Sequence, residues 1–233
     1  MRFLLFCALC IFNTSVFLAQ ELSNSNYYVW AKSGLSLRES PDKNSKKLTI
    51  IGYSENVTFI SDTFEAFTVT EFNGFDYTDN WFKIKHKKLT GYVFGGYLSK
   101  TPPPNILDET NNLTTYLNRV FTKTGYVIYD RYEDCNDDDS NCITSSQTSY
   151  KEGASYSFWT GEGGGTETLS IPNLNILQAY ILGTIFCETY KEFEIKYYEK
   201  PLPTIIVLRD DVGCDFTITA LGNYTIIHWS GGC

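Results

Sequence analysis

Histidine is scarce in this chain of 233 residues, which has only His86 and His228. Two imidazoles restrict the acid–base and metal chemistry available near neutral pH. Methionine occurs once, and after the first twenty residues no apolar run is long enough to span a bilayer. The sequence accordingly predicts no metal site, no cofactor and no membrane span in the mature protein.

The N-terminal segment has the pattern of a secretory signal peptide. Arg2 precedes an apolar run from Phe3 to Phe12, which is too short to span a bilayer, and a small residue follows at Ala19. We therefore expect residues 1–19 to be removed on export to the periplasm or the extracellular space. A retained membrane anchor is the alternative interpretation.

Charge is spread unevenly along the chain, whose net charge is −8. Residues 27–100 contain ten Lys/Arg and eight Asp/Glu, which gives +2, whereas residues 101–233 contain eight and eighteen, which gives −10. This asymmetry indicates two bodies. The acidic second half disfavours nucleic acid as a partner, because phosphates would be repelled.

The proline-rich segment 101–112, "TPPPNILDETNN", is the predicted linker between these bodies. In the first module, residues 27–100, short β-prone runs recur every eight to twelve residues, which is typical of a small β-barrel. In the second, residues 113–233, strands surround one largely buried helix within 173–190, with Asn173 as its N-cap. The predicted fold is mainly β: a small barrel followed by an α+β module, an antiparallel sheet with one buried helix.

Two motifs of the first module occur in the order of a known family. They are "AKSGLSLR" (31–38) followed by Pro41, and "GYV" (91–93) followed by Tyr97 and Leu98. Together they resemble the bacterial SH3 domain, usually found on exported proteins. The resemblance implies an SH3-like barrel over residues 27–100 that binds peptidoglycan or a cell-envelope protein or peptide. The second module shows no such resemblance.

Five aromatic residues of the first module are candidates for the walls of a ligand groove, because extended peptides dock on rigid aromatic surfaces. The same rings could equally form the barrel core. They are Trp30, Tyr53, Trp81, Tyr92 and Tyr97.

The first module departs from the family pattern at 63–79, "TFEAFTVTEFNGFDYTD". We interpret this insertion as an extra hairpin with "FNGF" at its turn. Its aromatics form either a binding surface or a patch covered by the second module, and we favour the covered patch. They are Phe64, Phe67, Phe72, Phe75 and Tyr77.

Removing the signal peptide leaves five cysteines, all in the second half of the chain. Cys135 and Cys142 flank the short polar loop "CNDDDSNC" and are the predicted disulfide. A second disulfide is expected among Cys187, Cys214 and Cys233, but the sequence does not select the pair.

Catalysis would have to use His228 with Cys187 or Cys214, since His86 is expected to be solvated in a lysine-rich hairpin tip. Cysteines of exported proteins are expected to form disulfides more often than to act as catalysts, so no catalytic residue is predicted. The predicted function is that of an exported, non-enzymatic binding protein. The alternatives are an envelope hydrolase or inhibitor acting through the second module, and an SH3-like body with a purely structural role.

Overall fold

A computed structural model describes the following residues: 26–71, 75–106, 112–131, 143–161, 164–186, 193–199, 202–209 and 214–232. The predicted signal peptide and the predicted Cys135–Cys142 disulfide lie outside them. Cys187 and Cys233 also lie outside, and only the backbone of Cys214 is described. Within the described ranges, no helix has the length and apolar character needed to cross a membrane.

The chain divides into two compact units. The first runs to Thr68 and resumes from Thr78 to Pro102, and the second comprises Val69–Tyr77 and Pro103–Cys233. The tip of the inserted hairpin thus groups with the second unit, although it lies within the sequence of the first.

The first unit is built on a curled antiparallel sheet of seven strands in the order β3-β2-β6-β5-β4-β1-β7. The strands are β1 Asn26–Val29, β2 Leu35–Arg38, β3 Lys47–Ile51, β4 Asn56–Thr70, β5 Asp76–His86, β6 Leu89–Phe94 and β7 Leu98–Ser99. Alternate side chains of these strands face inward, as the period of two in a strand requires. The strands contribute Val29, Leu35, Leu37, Ile51, Val57, Ile84 and Val93 to the buried core.

Strands β4 and β5 extend beyond the other strands and form the extra hairpin predicted for the insertion. The side chains of Thr68 and Thr78 hydrogen-bond across it at 2.8 Å, and the Thr70 hydroxyl donates to Asp76 at 2.6 Å. Residues 72–74, where the turn was predicted, lie outside the described part.

His86 is buried, and the expectation of a solvated histidine is wrong. It follows the fully buried Ile84 by two residues in β5, so its ring faces inward with only 6% of the residue exposed. Its Nε2 lies 2.9 Å from Oε2 of Glu55, which also accepts from Nζ of Lys87 at 3.0 Å. The Gly52 backbone N–H donates to the other Glu55 oxygen at 3.1 Å.

These bonds make the first unit sensitive to acid. Lys87, His86 and the Gly52 amide hold the pKa of Glu55 at about 2, below its ordinary value of 4.5. A carboxyl group whose pKa is lower in the folded than in the unfolded protein stabilises the fold at pH values above its unfolded-state pKa. This stabilisation is lost as the pH falls through the folded-state pKa. We expect this loss between about pH 4.5 and pH 2, and because the Glu55 side chain is 40% exposed it should amount to about 1 kcal/mol or less.

Denaturant unfolding of Glu55→Gln at several pH values tests this expectation. Wild type should be more stable than the variant at pH 6, and the difference should vanish near pH 2. Glu65→Gln removes an exposed carboxylate of the same unit and serves as the control. An equal wild-type advantage at pH 6 and pH 2 would contradict the role assigned to Glu55.

The second unit contains an antiparallel sheet of eight strands in the order β12-β13-β14-β15-β11-β10-β9-β8. The strands are β8 Lys123–Arg131, β9 Ile143–Tyr150, β10 Ser155–Gly161, β11 Gly164–Pro172, β12 Phe193–Tyr198, β13 Thr204–Arg209, β14 Cys214–Leu221 and β15 Tyr224–Gly232. Two four-stranded meanders meet where β11 pairs with β15. The fully buried apolar side chains of the sheet are Leu169, Ile171, Ile205, Val207, Phe216, Ile218 and Ile227.

Helix α2, Ile176–Phe186, is the predicted buried helix, with a corrected start. Asn175 caps it, not Asn173: Oδ1 of Asn175 accepts the Gln178 amide at 2.8 Å, and Oε1 of Gln178 accepts the Asn175 amide at 3.3 Å. Asn173 is in the left-handed region, with φ of 58°, and belongs to the preceding turn. The helix packs closely on β14, since a Cβ added at Gly183 would lie 2.6 Å from the Phe216 ring.

Helix α1, Leu113–Val120, was not predicted. Asn112, assigned to the linker, caps it by accepting the Thr115 amide at 2.8 Å. Its buried face includes Tyr116, whose ring centroid lies 5.8 Å from that of Phe186 in α2. The predicted class is nevertheless confirmed: the protein is mainly β, with an SH3-like barrel and an α+β module.

Candidate functional site

Two of the five predicted groove aromatics lie in the core of the first unit. Trp30 is 0% exposed, and its Nε1–H donates to the carbonyl oxygen of Thr101 at 2.9 Å. Trp81 is 4% exposed, and its ring centroid lies 5.2 Å from that of Phe67. Neither indole presents a face to an approaching ligand.

The other three, Tyr53, Tyr92 and Tyr97, are half-buried. Nζ of Lys83 lies 5.9 Å from the centroid of the Tyr92 ring, which is a cation–π distance. Tyr97 packs edge-on against Phe94, with the centroids 5.8 Å apart. These tyrosines retain accessible surface, and their binding role stays a prediction.

The inserted aromatics have different environments. Phe67 covers Trp81 and packs edge-on against Phe94 at 5.6 Å. Phe75 is 2% exposed and packs at 4.6 Å on Tyr197, in agreement with a covered patch. Phe64 is 84% exposed with φ of 58°, so it does not belong to such a patch. Phe72 lies outside the described residues.

A second group of rings in the first unit is a stronger candidate surface. Tyr27, Phe59 and Phe82, called the aromatic trio below, are each half-buried. Phe59 lies 5.6 Å from Tyr27 and 5.1 Å from Phe82, and Tyr27 and Phe82 are 6.4 Å apart, all measured between ring centroids. Tilted and edge-on contacts at these distances hold the rings against one another.

Strand alternation explains why the trio forms. Phe59 follows the buried Val57 by two residues in β4, and Phe82 precedes the buried Ile84 by two in β5. Tyr27 is the register partner of Val57. The three rings therefore continue the inward-facing rows of the barrel into a half-exposed region. This alternation is visible in the sequence, but it does not show where the rows leave the core.

Lys100 adds a cation to the trio. Its Nζ lies 5.8 Å from the centroid of the Tyr27 ring. The residues beside it are anchored, because Thr101 accepts from Trp30 and the Thr101 amide donates to the Ser99 hydroxyl at 3.1 Å. Burial raises the pKa of Tyr27, which keeps its hydroxyl neutral. The result is an apolar platform with one exposed positive charge.

The paired glycines after β6 shape this surface through close packing. Gly95 begins the 3-10 turn Gly95–Tyr97. A Cβ added at Gly95 would lie 2.8 Å from the Asn80 carbonyl oxygen and 3.0 Å from the Phe82 ring. Only glycine lets the turn pass this close to Phe82.

Of the alternative catalytic residues, His228 is the one whose side chain lies in the described part of the chain. His228 lies in β15 on an exposed face of the sheet, with Nδ1 2.8 Å from the Thr168 hydroxyl. The side chains of its candidate partners, Cys187 and Cys214, are not described. Across the described ranges, no three His, Cys, Asp or Glu residues are grouped as metal ligands.

Residues 33–99 match the family model of the bacterial SH3 domain. No curated protein and no solved structure matches the chain. Bacterial SH3 domains usually occur in cell-envelope or extracellular proteins and commonly bind cell-wall peptidoglycan. The match to residues 33–99 confirms the resemblance to the bacterial SH3 domain that the sequence motifs indicated.

Proposed function

We propose that the chain is an exported, non-enzymatic protein that binds peptidoglycan or a cell-envelope peptide through its bacterial SH3 domain. The observation that carries the proposal is the half-exposed aromatic trio with Lys100 beside it. The family match supports the same conclusion, because domains of this family commonly bind the cell wall.

The chemistry of the trio fits a peptide with a free carboxylate. Rigid aromatic faces offer contact area at low cost in conformational entropy, and an exposed lysine attracts the anionic end of an extended chain. Exposed ion pairs contribute about 1 kcal/mol or less, so the rings would supply most of the affinity. Such a surface binds weakly unless the ligand is multivalent, as a cell-wall polymer is.

The placement of the two histidines supports a non-enzymatic role. His86 is buried against Glu55, and His228 is bonded to the Thr168 hydroxyl on an exposed sheet face. Neither imidazole lies in the aromatic trio, so the proposed surface has recognition groups and no general base.

Co-sedimentation of the full chain with purified cell-wall sacculi tests the proposal. The full chain is required because the hairpin tip 69–77 groups with the second unit. Wild type should sediment with the sacculi. Tyr27→Ala should weaken binding about tenfold, because it removes a ring contact worth about 1–1.5 kcal/mol. Lys100→Ala should weaken it about two- to fivefold.

Lys43→Ala is the matched control, since it removes the same charge from an exposed loop of the same unit. It should bind as wild type does. Absence of wild-type co-sedimentation would refute the proposal. Binding that survives Tyr27→Ala and Lys100→Ala unchanged would exclude the trio as the binding surface.

A further inference from the structure

The second unit contains a cavity of about 330 Å³ that the proposed function does not use. It lies between the end of α2, at Phe186, and the sheet face where β10, β11 and β15 pair. Its volume is within the range of small-molecule sites. The lining residues that the argument uses are Phe158, Thr160, Gly165, Glu167, Phe186 and Trp229.

Strand register puts the lining side chains on one face of the sheet. Glu167 of β11 is the partner of Trp229 in β15 and of Phe158 in β10. Directly paired residues of an antiparallel sheet project to the same side and have Cβ atoms about 5 Å apart. Two residues before Glu167 in β11, Gly165 is paired with Thr160 of β10. Part of the cavity floor therefore has no side chain to fill it.

Trp229 contributes a hydrogen-bond donor that the described residues leave unused. It is 5% exposed, and its Nε1 has no hydrogen-bond partner among them. A buried donor without a partner is unfavourable, because it has lost its water and gained nothing in return. Because Trp229 lines the cavity, an acceptor bound there that reaches Nε1 would remove that penalty.

Glu167 contributes an acceptor next to this donor. Burial raises the pKa of its carboxyl, and a hydrogen bond from the Tyr156 hydroxyl partly offsets the effect. A carboxylate has about four lone-pair sites, so one bond from Tyr156 leaves room for a donor supplied by a ligand. The donor and the acceptor thus belong to directly paired residues of the cavity lining, which also includes aromatic rings.

We propose that this cavity binds the ring of a neutral sugar. A sugar hydroxyl both accepts and donates, so neighbouring hydroxyls could accept from Trp229 and donate to Glu167 together. The apolar C–H face of the ring would lie against Phe158 and Phe186. This site is in the second unit and does not depend on the SH3 domain.

Two other ligand classes fit less well. Residues 101–233 have a net charge of −10, which disfavours an anion beside Glu167. An organic ammonium ion would pair with Glu167 and the rings, but it has no acceptor and would leave the Trp229 N–H unpaired. A neutral group that both donates and accepts hydrogen bonds satisfies both Glu167 and Trp229.

Titration of the full chain with N-acetylglucosamine, chitotetraose and cellobiose, followed by calorimetry, tests the assignment. At least one probe should bind with one site per chain. Trp229→Phe should weaken binding about fivefold, the value of one hydrogen bond. Its melting temperature should fall only slightly: the lost N–H leaves no partner unpaired, and the cost is that of the smaller ring in the core. Glu167→Gln should weaken binding by a similar factor.

Glu199→Gln, a carboxylate change at an exposed position of the same unit, should bind as wild type does. If all three sugars fail to bind, the proposal is wrong. Binding of benzylamine with no sugar binding would instead identify a cation site. Equal sugar affinity in the Trp229→Phe and Glu167→Gln variants would place the sugar elsewhere.

Discussion

Replacement of Trp30 with alanine should lower the free energy of unfolding of the first unit by about 3–5 kcal/mol. The indole is fully buried, so its removal leaves a large cavity in a small barrel. It also leaves the Thr101 carbonyl without the donor that it has at 2.9 Å. Denaturant unfolding of the full chain, followed by far-UV circular dichroism, should show this loss.

Two control variants separate the contributions to this loss. Trp30→Phe keeps most of the apolar volume and removes the N–H donor, so it should cost about 1–3 kcal/mol. Trp159→Ala truncates an indole that is half exposed in the second unit and should cost less than Trp30→Ala. If the Trp30→Ala variant is as stable as wild type but no longer binds the cell wall, Trp30 forms a wall of the ligand groove, which the sequence also allowed.

Trp30 shows why the fold of the first unit was easier to predict than its candidate site. The short β-prone runs of residues 27–100 correctly indicated strands, and Leu35, Leu37 and Val93 of these strands are buried. Alternation reports the side of a strand on which a residue lies, but not how far the sheet curls over it. Trp30 and Trp81 were therefore indistinguishable in sequence from exposed aromatics.

The aromatic trio was missed for the related reason that its members lie far apart in sequence. Tyr27, Phe59 and Phe82 meet through the pairing of β1 with β4 and the position of β5 next to β4. The buried pair of Glu55 and His86 depends on a similar long-range approach. The lysines next to His86 in the sequence led to the prediction of a solvated histidine. Neighbouring residues do not reveal a carboxylate 31 residues away.

Local signals were also ambiguous at the helices. For α2, Asn173 and Asn175 both have side chains able to cap, and only the backbone conformation shows that Asn175 does so. For α1, the eight residues "LTTYLNRV" include β-branched threonines and valine, which have weak helix propensity. Packing of Tyr116 and Leu117 into the second unit stabilises a helix that the sequence alone would not predict.

Gly91→Ala should strongly destabilise the first unit. An added Cβ would lie 2.5 Å from the carbonyl oxygen of Arg38 and 3.0 Å from Cδ1 of Leu37. The first contact is with backbone, so no rotamer change relieves it, and β2 would have to move away from β6. Overpacking of this kind costs about 1–3 kcal/mol and occasionally more, and we expect the upper part of that range.

Gly125→Ala is the matched control for Gly91→Ala, because it makes the same substitution in a strand where the nearest atom to the new Cβ is 3.9 Å away. It should be neutral or slightly stabilising, since alanine lowers the entropy of the unfolded chain. The measurement is the same denaturant unfolding of the full chain. A Gly91→Ala protein as stable as Gly125→Ala would mean that β2 and β6 do not pack this closely at Arg38. In that case the barrel would be open between these two strands.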